Sequence, residues 1–207
     1  MATGCGQEQS VKSEVVKNII ICGIPYEEFL IRMEEFHGYR SPGILLGGLM
    51  LDVGLKEVGQ TPYLNVVSET VVCLPDAVQL LTPCTYGNGF LQVLDWGKFA
   101  VTVYDRQTLK GERVWLDNDR IPMFPLIRFW FERSGERKEK PPFRELAAEI
   151  LSAADELVVH RAVTLLKALK DSNPVPTGRC PDCGESYPLG FGKRCPACSG
   201  SAYYRTR

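Results

Sequence analysis

No stretch of this 207-residue sequence approaches the ~20 consecutive apolar residues that a membrane-spanning helix needs. Net charge is also missing. The 24 lysines and arginines stand against 25 aspartates and glutamates, and the balance of −1 offers no global attraction to nucleic acid or an anionic bilayer. The opening residues, MATGCGQEQS, lack the basic and apolar regions of a secretory signal, so the expectation is a cytoplasmic protein with reduced thiols. No internal repeat is visible. The pair Gly87-x-Gly89 lacks the third glycine and the strand–helix setting of a dinucleotide loop, which removes the case for a nucleotide cofactor.

What is present is ordinary in bulk and unusual in detail. A chain of this length suits one good-sized domain plus a small module, and it buries enough surface to need no staple. Eight cysteines in a reducing compartment read as metal ligands, reactive thiols or small buried apolar residues. Residues 1–12 read as disordered, and 13–23 as an apolar run too short to assign to helix or strand. Tyr26, Phe29, Leu30, Met33 and Phe36 recur at three and four, which predicts a helix stopped by Gly38. Ser41 as N-cap and Pro42 as first residue predict a second helix, which Gly59 ends. Its Gly43, Gly47 and Gly54 put small residues on or near one face, for tight packing or for the close approach of another group.

Residues 63–72 read as a strand, 74–81 as a short helix and 84–89 as a glycine-rich loop. FLQVLD and KFAVTVYD read as a hairpin turned at Trp96-Gly97, and ERVWLD as the next strand, which makes an antiparallel meander. Residues 124–133 read as an apolar helix whose aromatics belong to the core or to a dimer face. GERKEKPP reads as a charged connector and 143–153 as an amphipathic helix; 155–169 fit helix or strand equally. The fold class is therefore α+β, with helices packed on an antiparallel sheet. Two prolines and a glycine mark 172–178 as a linker, dividing a core of 13–171 from a tail of 179–207.

The tail carries the most specific pattern. Cys180 and Cys183 form one C-x2-C pair, Cys195 and Cys198 another, eleven residues apart. Four thiolates close a tetrahedral zinc shell with no open position, so the implied metal is structural and folds a treble-clef or ribbon-like finger too small for a core of its own. The finger's basic residues, among them Arg179, Lys193 and Arg194, are offset by the thiolates, which argues against nucleic acid as a partner. In the core, His37, Cys73 and Cys84 each stand at the end of an element. One histidine and two thiolates with a free position would suit a catalytic zinc or another transition metal, with Asp76 as a further ligand or as the acceptor behind the histidine. The alternative for each cysteine is plain burial. His160 reads as an ordinary polar residue, and Cys5 and Cys22 have no evident role.

Three blocks of residues resemble the FmdE family, which is tied to formylmethanofuran dehydrogenase. They are Phe36-His37-Gly38 with Pro42-Gly43; the segment from Glu69 to Gly89 containing Cys73, Asp76, Gln79, Thr82, Cys84, Thr85 and Gly87; and Asp95, Gly97 and Lys98. The resemblance implies an α+β core, a homodimer, and a metal-binding or active-site-like cleft of His37, Asp76, Cys73 and Cys84, with a C-terminal zinc finger in some members. It also implies a link to a molybdenum or tungsten enzyme of one-carbon metabolism. With no further cysteine cluster and no pterin-binding segment, the sequence reads as accessory to that redox reaction. The other readings are an independent zinc-dependent small-molecule enzyme using His37, Cys73 and Cys84, or a binding module using the finger. The chain departs from the family pattern at Tyr39 and Ser41, where a second histidine and a cysteine are usual, and at Asn88, where a lysine is usual.

Overall fold

The computed structural model describes residues 19–132, 140–167, 169 and 175–205. The expected disorder of 1–12 and most of the GERKEKPP connector lie outside them. The chain divides into two units, Met1–Leu169 and Lys170–Arg207.

The first unit begins with a small hairpin, β1 (Ile20–Ile21) and β2 (Ile24–Pro25). Its two turn residues, Cys22 and Gly23, both have positive φ, 50° and 79°. That is the turn whose twist matches paired strands. Helix α1 (Tyr26–His37) buries Tyr26, Phe29, Leu30 and Met33 and ends on left-handed Gly38, whose N–H reaches the Glu34 carbonyl. Of the two positions that continue this stripe, His37 turns inward while Phe36 is half exposed. Helix α2 (Pro42–Val58) lies at the centre, with Ile44, Leu45, Leu46, Met50 and Leu51 fully buried. Each such side chain contributes about 1.5–3 kcal/mol. Its glycines are contact points. A Cβ on Gly47 would stand 2.9 Å from Ala77 and Leu74, and one on Gly54 would stand 2.8 Å from Val103.

The sheet has the order β4-β3-β5-β6-β7, formed by β3 (Leu64–Ser68), β4 (Leu91–Val93), β5 (Ala100–Asp105), β6 (Lys110–Leu116) and β7 (Val158–Thr164). Between β3 and β4 runs helix α3 (Leu74–Leu81). The expected hairpin of β4 and β5 is not formed. Strand β3 lies between them, parallel to β4 and antiparallel to β5. The Trp96-Gly97 turn instead carries the chain past the end of β3. The N–H groups of Trp96 and Lys98 both donate to the Glu69 carbonyl, and Leu94 N–H donates to that of Ser68. Two short apolar runs flanking a tight turn look alike whether they pair with each other or with the two edges of a third strand. The sheet is thus mixed, and antiparallel in its other pairs.

Helix α4 (Pro125–Glu132) buries Ile127, and its Trp130 and Phe131 meet Phe99 edge-on at 6.3 and 6.1 Å. Phe124, Trp130 and Phe131 are partly buried and pack on the core. Helix α5 (Phe143–Leu157) runs directly into β7, so the ambiguous stretch 155–169 is both: helix to Leu157, strand from Val158. The strand starts where β-branched Val158 and Val159 do, which is where helix propensity falls. No helix of the described residues is long and apolar enough to cross a membrane.

The second unit holds β8 (Thr177–Arg179) antiparallel to β9 (Ser186–Pro188), followed by a wide helical turn at Ala197–Ser201. Strand β8 takes in residues 177 and 178, which their composition had placed in the linker.

Candidate functional sites

The second unit is organised by its cysteines. Cys180 follows β8, and the chain reverses through Gly184, at φ 78°, whose N–H donates to the Cys180 carbonyl. Cys195 opens the second knuckle, where Ser199 N–H donates to its carbonyl and Cys198 N–H approaches its sulfur at 3.5 Å. All four sulfurs lie within 4.8 Å of one another, and Cys183 and Cys195 are 3.9 Å apart. Four sulfurs bound to one zinc at ~2.3 Å stand about 3.8 Å from each other, so the cluster fits that ion. Backbone amides, first that of Cys183, push the Cys180 thiol down to about 6. Cys198, facing the other thiols, is pushed up to about 12. Four thiols cannot all ionise together without a cation. Two basic side chains serve the finger's own fold: Arg194 pairs with Asp182 at 3.2 Å, and Arg179 donates to the Gly184 carbonyl.

In the first unit, three element ends meet. His37 closes α1, Ser41 precedes α2 and Cys73 precedes α3. His37 Nδ1 lies 2.7 Å from Asp76 Oδ2 in the first turn of α3, while its Nε2 is buried with no hydrogen-bond partner among the described residues. The Tyr39 ring packs against the His37 ring at 4.6 Å. Ser41 sits at the N-cap position with no capping bond from its side chain. Its hydroxyl is instead 3.5 Å from Cys73 Sγ. Cys73 has φ 58° and ψ −45°, and Leu74 N–H donates to the Val72 carbonyl across it. This is a strained three-residue turn, costing of order 1–3 kcal/mol. Gly43 makes room for it, since a Cβ there would stand 2.7 Å from both Cys73 Cβ and Sγ.

Cys84 does not join this group. It lies beyond the other end of α3, fully buried, with its thiol donating to the Leu64 carbonyl at 3.4 Å. Burial raises its pKa against the lowering pull of the Thr82 hydroxyl. Eight helical residues span about 12 Å, so Cys73 and Cys84 are too far apart to share an ion. Among the described residues, the finger's quartet is the one group of three or more metal-capable side chains. The three-ligand zinc of His37, Cys73 and Cys84 therefore does not fit. The pairs His37–Asp76 and Ser41–Cys73 stand at the same end of α3. Asp76 takes the role of acceptor behind the histidine.

Two features escaped sequence reasoning. Glu69, buried at the end of β3, holds Arg113 of β6 through two bonds of 2.7 Å. Asn88, in place of the usual lysine, stitches its loop by bonding Thr85 N–H, Phe90 N–H and the Pro83 carbonyl. Its position between two glycines was the available signal. His160 pairs with buried Glu112 at 2.7 Å, and Cys22, set against Gly48, is pushed up to about 12 by burial and then by Asp52.

The fold and its sites define an α+β domain followed by a four-cysteine zinc finger. Residues 36–164 match the family described as "FmdE, Molybdenum formylmethanofuran dehydrogenase operon", and 172–205 match its treble-clef zinc finger. The chain belongs to the FmdE family. An FmdE-like protein of the tungsten formylmethanofuran dehydrogenase type, from Syntrophus aciditrophicus, superposes with a TM-score of 0.79 at 38% identity, over 90% of this chain and 98% of that one. A probable S-adenosyl-L-methionine-binding protein of Archaeoglobus fulgidus is 35% identical over 100 residues, which is 44% of this chain and 27% of the relative. The chain thus spans about a quarter of that relative's length.

Proposed function

We propose that this chain is a zinc-carrying accessory protein of a molybdenum or tungsten formylmethanofuran dehydrogenase system, working in one-carbon metabolism beside the redox subunits and not in their place. The observation that carries this reading is the match to the Syntrophus protein over nearly all of both chains. The finger's closed shell leaves no open position for catalysis, so its zinc is structural. The core offers a partner the junction of His37, Asp76, Ser41 and Cys73, flanked in sequence by exposed Phe36, Tyr39, Val71 and Val72. Such apolar residues mark an interaction surface, and in this reading two copies meet there as a homodimer. Tagged protein recovered from its own cells should bring down molybdopterin-containing subunits and carry about one zinc per chain. Recovery without those subunits after crosslinking ends the accessory role, a second zinc returns an ion to the core, and a monomer in light scattering removes the dimer.

A second reading gives the same junction a small molecule. It is favoured by the buried, unpartnered Nε2 of His37, a polar atom that a ligand would satisfy. S-adenosylmethionine, named for the Archaeoglobus relative, is the first candidate. Calorimetric titration should then show saturable heat that His37→Ala abolishes; no heat in the unaltered chain removes that candidate.

A further inference from the structure

At the other end of α3 lies a cavity of about 680 Å³, a size typical of small-molecule sites. Its walls come from the last turn of α2, the segment leading into β3, and the loop after α3. Leu55, Pro62, Leu64, Pro83 and Phe90 make the wall largely apolar. The loop is held by Asn88, whose side-chain oxygen accepts the Phe90 N–H, so Phe90 is fixed before any ligand arrives.

The charges around this cavity are unevenly spent. Lys56, in the wall, gives its ammonium to Asp52 at 2.5 Å. Asp105 uses one carboxylate oxygen on the Thr61 hydroxyl and the other on the N–H groups of Gln107 and Thr108. Arg106 is different. Its guanidinium lies 4.8 Å from the Phe90 ring and 5.4 Å from the Tyr63 ring, and its backbone N–H is fixed on the Tyr63 carbonyl. It meets no carboxylate among the described residues. An exposed guanidinium held between two rings keeps its planar fork of donors available, and that fork matches a carboxylate.

We propose that this cavity binds a small apolar molecule bearing one carboxylate. The apolar part lies against Leu55, Leu64 and Phe90, and the carboxylate lies on the Arg106 guanidinium. The polarity of the site fixes this orientation. Lys56, the cation of the α2 wall, is already spent on Asp52, so the anion takes the Arg106 side. The site is separate from the His37–Asp76 pair, which stands at the opposite end of α3.

Octanoate and uncharged octan-1-ol serve as probes, read by methyl NMR of leucine-labelled protein. Octanoate should saturate, moving the Leu55 and Leu64 methyls and leaving Leu146 and Leu157 of α5 in place. Arg106→Gln, on the surface, should weaken octanoate about tenfold or more and leave octan-1-ol unchanged, since a charge-assisted contact is lost and no apolar one is. Equal octanoate affinity in Arg106→Gln would overturn the proposal. So would shifts that spread over the core without saturating, or still Leu55 and Leu64 methyls.

Discussion

Gly43→Ala tests whether the junction at Cys73 depends on a missing side chain. In an unhindered helix this change gains about 1 kcal/mol through propensity. Here the new Cβ would lie 2.7 Å from Cys73 Cβ and 2.7 Å from its Sγ, well inside the ~3.5–4.0 Å at which such atoms attract. Rotation of the Cys73 side chain cannot relieve the clash, because the Cβ is fixed to a backbone held at φ 58°. The start of α2 or the turn at Cys73 must shift, and overpacking of this kind costs about 1–3 kcal/mol. The net effect is a loss of up to about 2 kcal/mol, by combining these two opposing figures. In a Cys73→Gly background the contacting atoms are gone, so Gly43→Ala should turn neutral or stabilising. Urea unfolding of the four proteins at saturating zinc, followed by tryptophan fluorescence, gives the coupling directly. A coupling below about 0.5 kcal/mol would refute the claim that Gly43 exists to admit Cys73.

Four further outcomes follow from the same geometry. Cys180→Ser should lose about one zinc per chain by metal analysis and disorder the finger while the first unit keeps its unfolding transition, because the quartet is the finger's folding nucleus. Ser41→Cys places a second sulfur where the hydroxyl now stands, 3.5 Å from Cys73 Sγ, so mild oxidation should form a disulfide seen as a two-hydrogen mass loss. Cys22 rises from 9.0 to about 12 in the folded chain, so the unfolded thiol ionises first as pH rises; stability should fall between those values by up to about 1.4 kcal/mol per pH unit, a slope that Cys22→Ala removes in denaturation series. Glu69→Gln strips the carboxylate from a 95%-buried side chain and leaves Arg113 half paired, a loss of roughly 1–3 kcal/mol by chemical denaturation.

Most helices were legible in the chain because their signals are local. Ser41, Pro42 and Gly59 bound α2 in the structure as they do in the sequence, and the α1 stripe is the buried one up to Met33. The finger was legible for the same reason. Its C-x2-C spacing puts two sulfurs on one knuckle whatever surrounds it, and it lies in the finger match. Tertiary structure decided the rest. Whether β4 and β5 would pair with each other or across β3 depends on which edges of β3 are free, and no periodicity encodes that. The stretch after Asp155 could not be divided, because Leu157 and Val158 suit either state until β6 offers an edge to pair with. The core site shows the difference most clearly. His37, Cys73 and Cys84 looked equivalent as residues at element ends, but α3 separates the two thiols by its own length, and Ser41 turns from capping its helix to face Cys73. A sequence names donors at the ends of elements; only the packing of those elements brings two ends together and sends the third away.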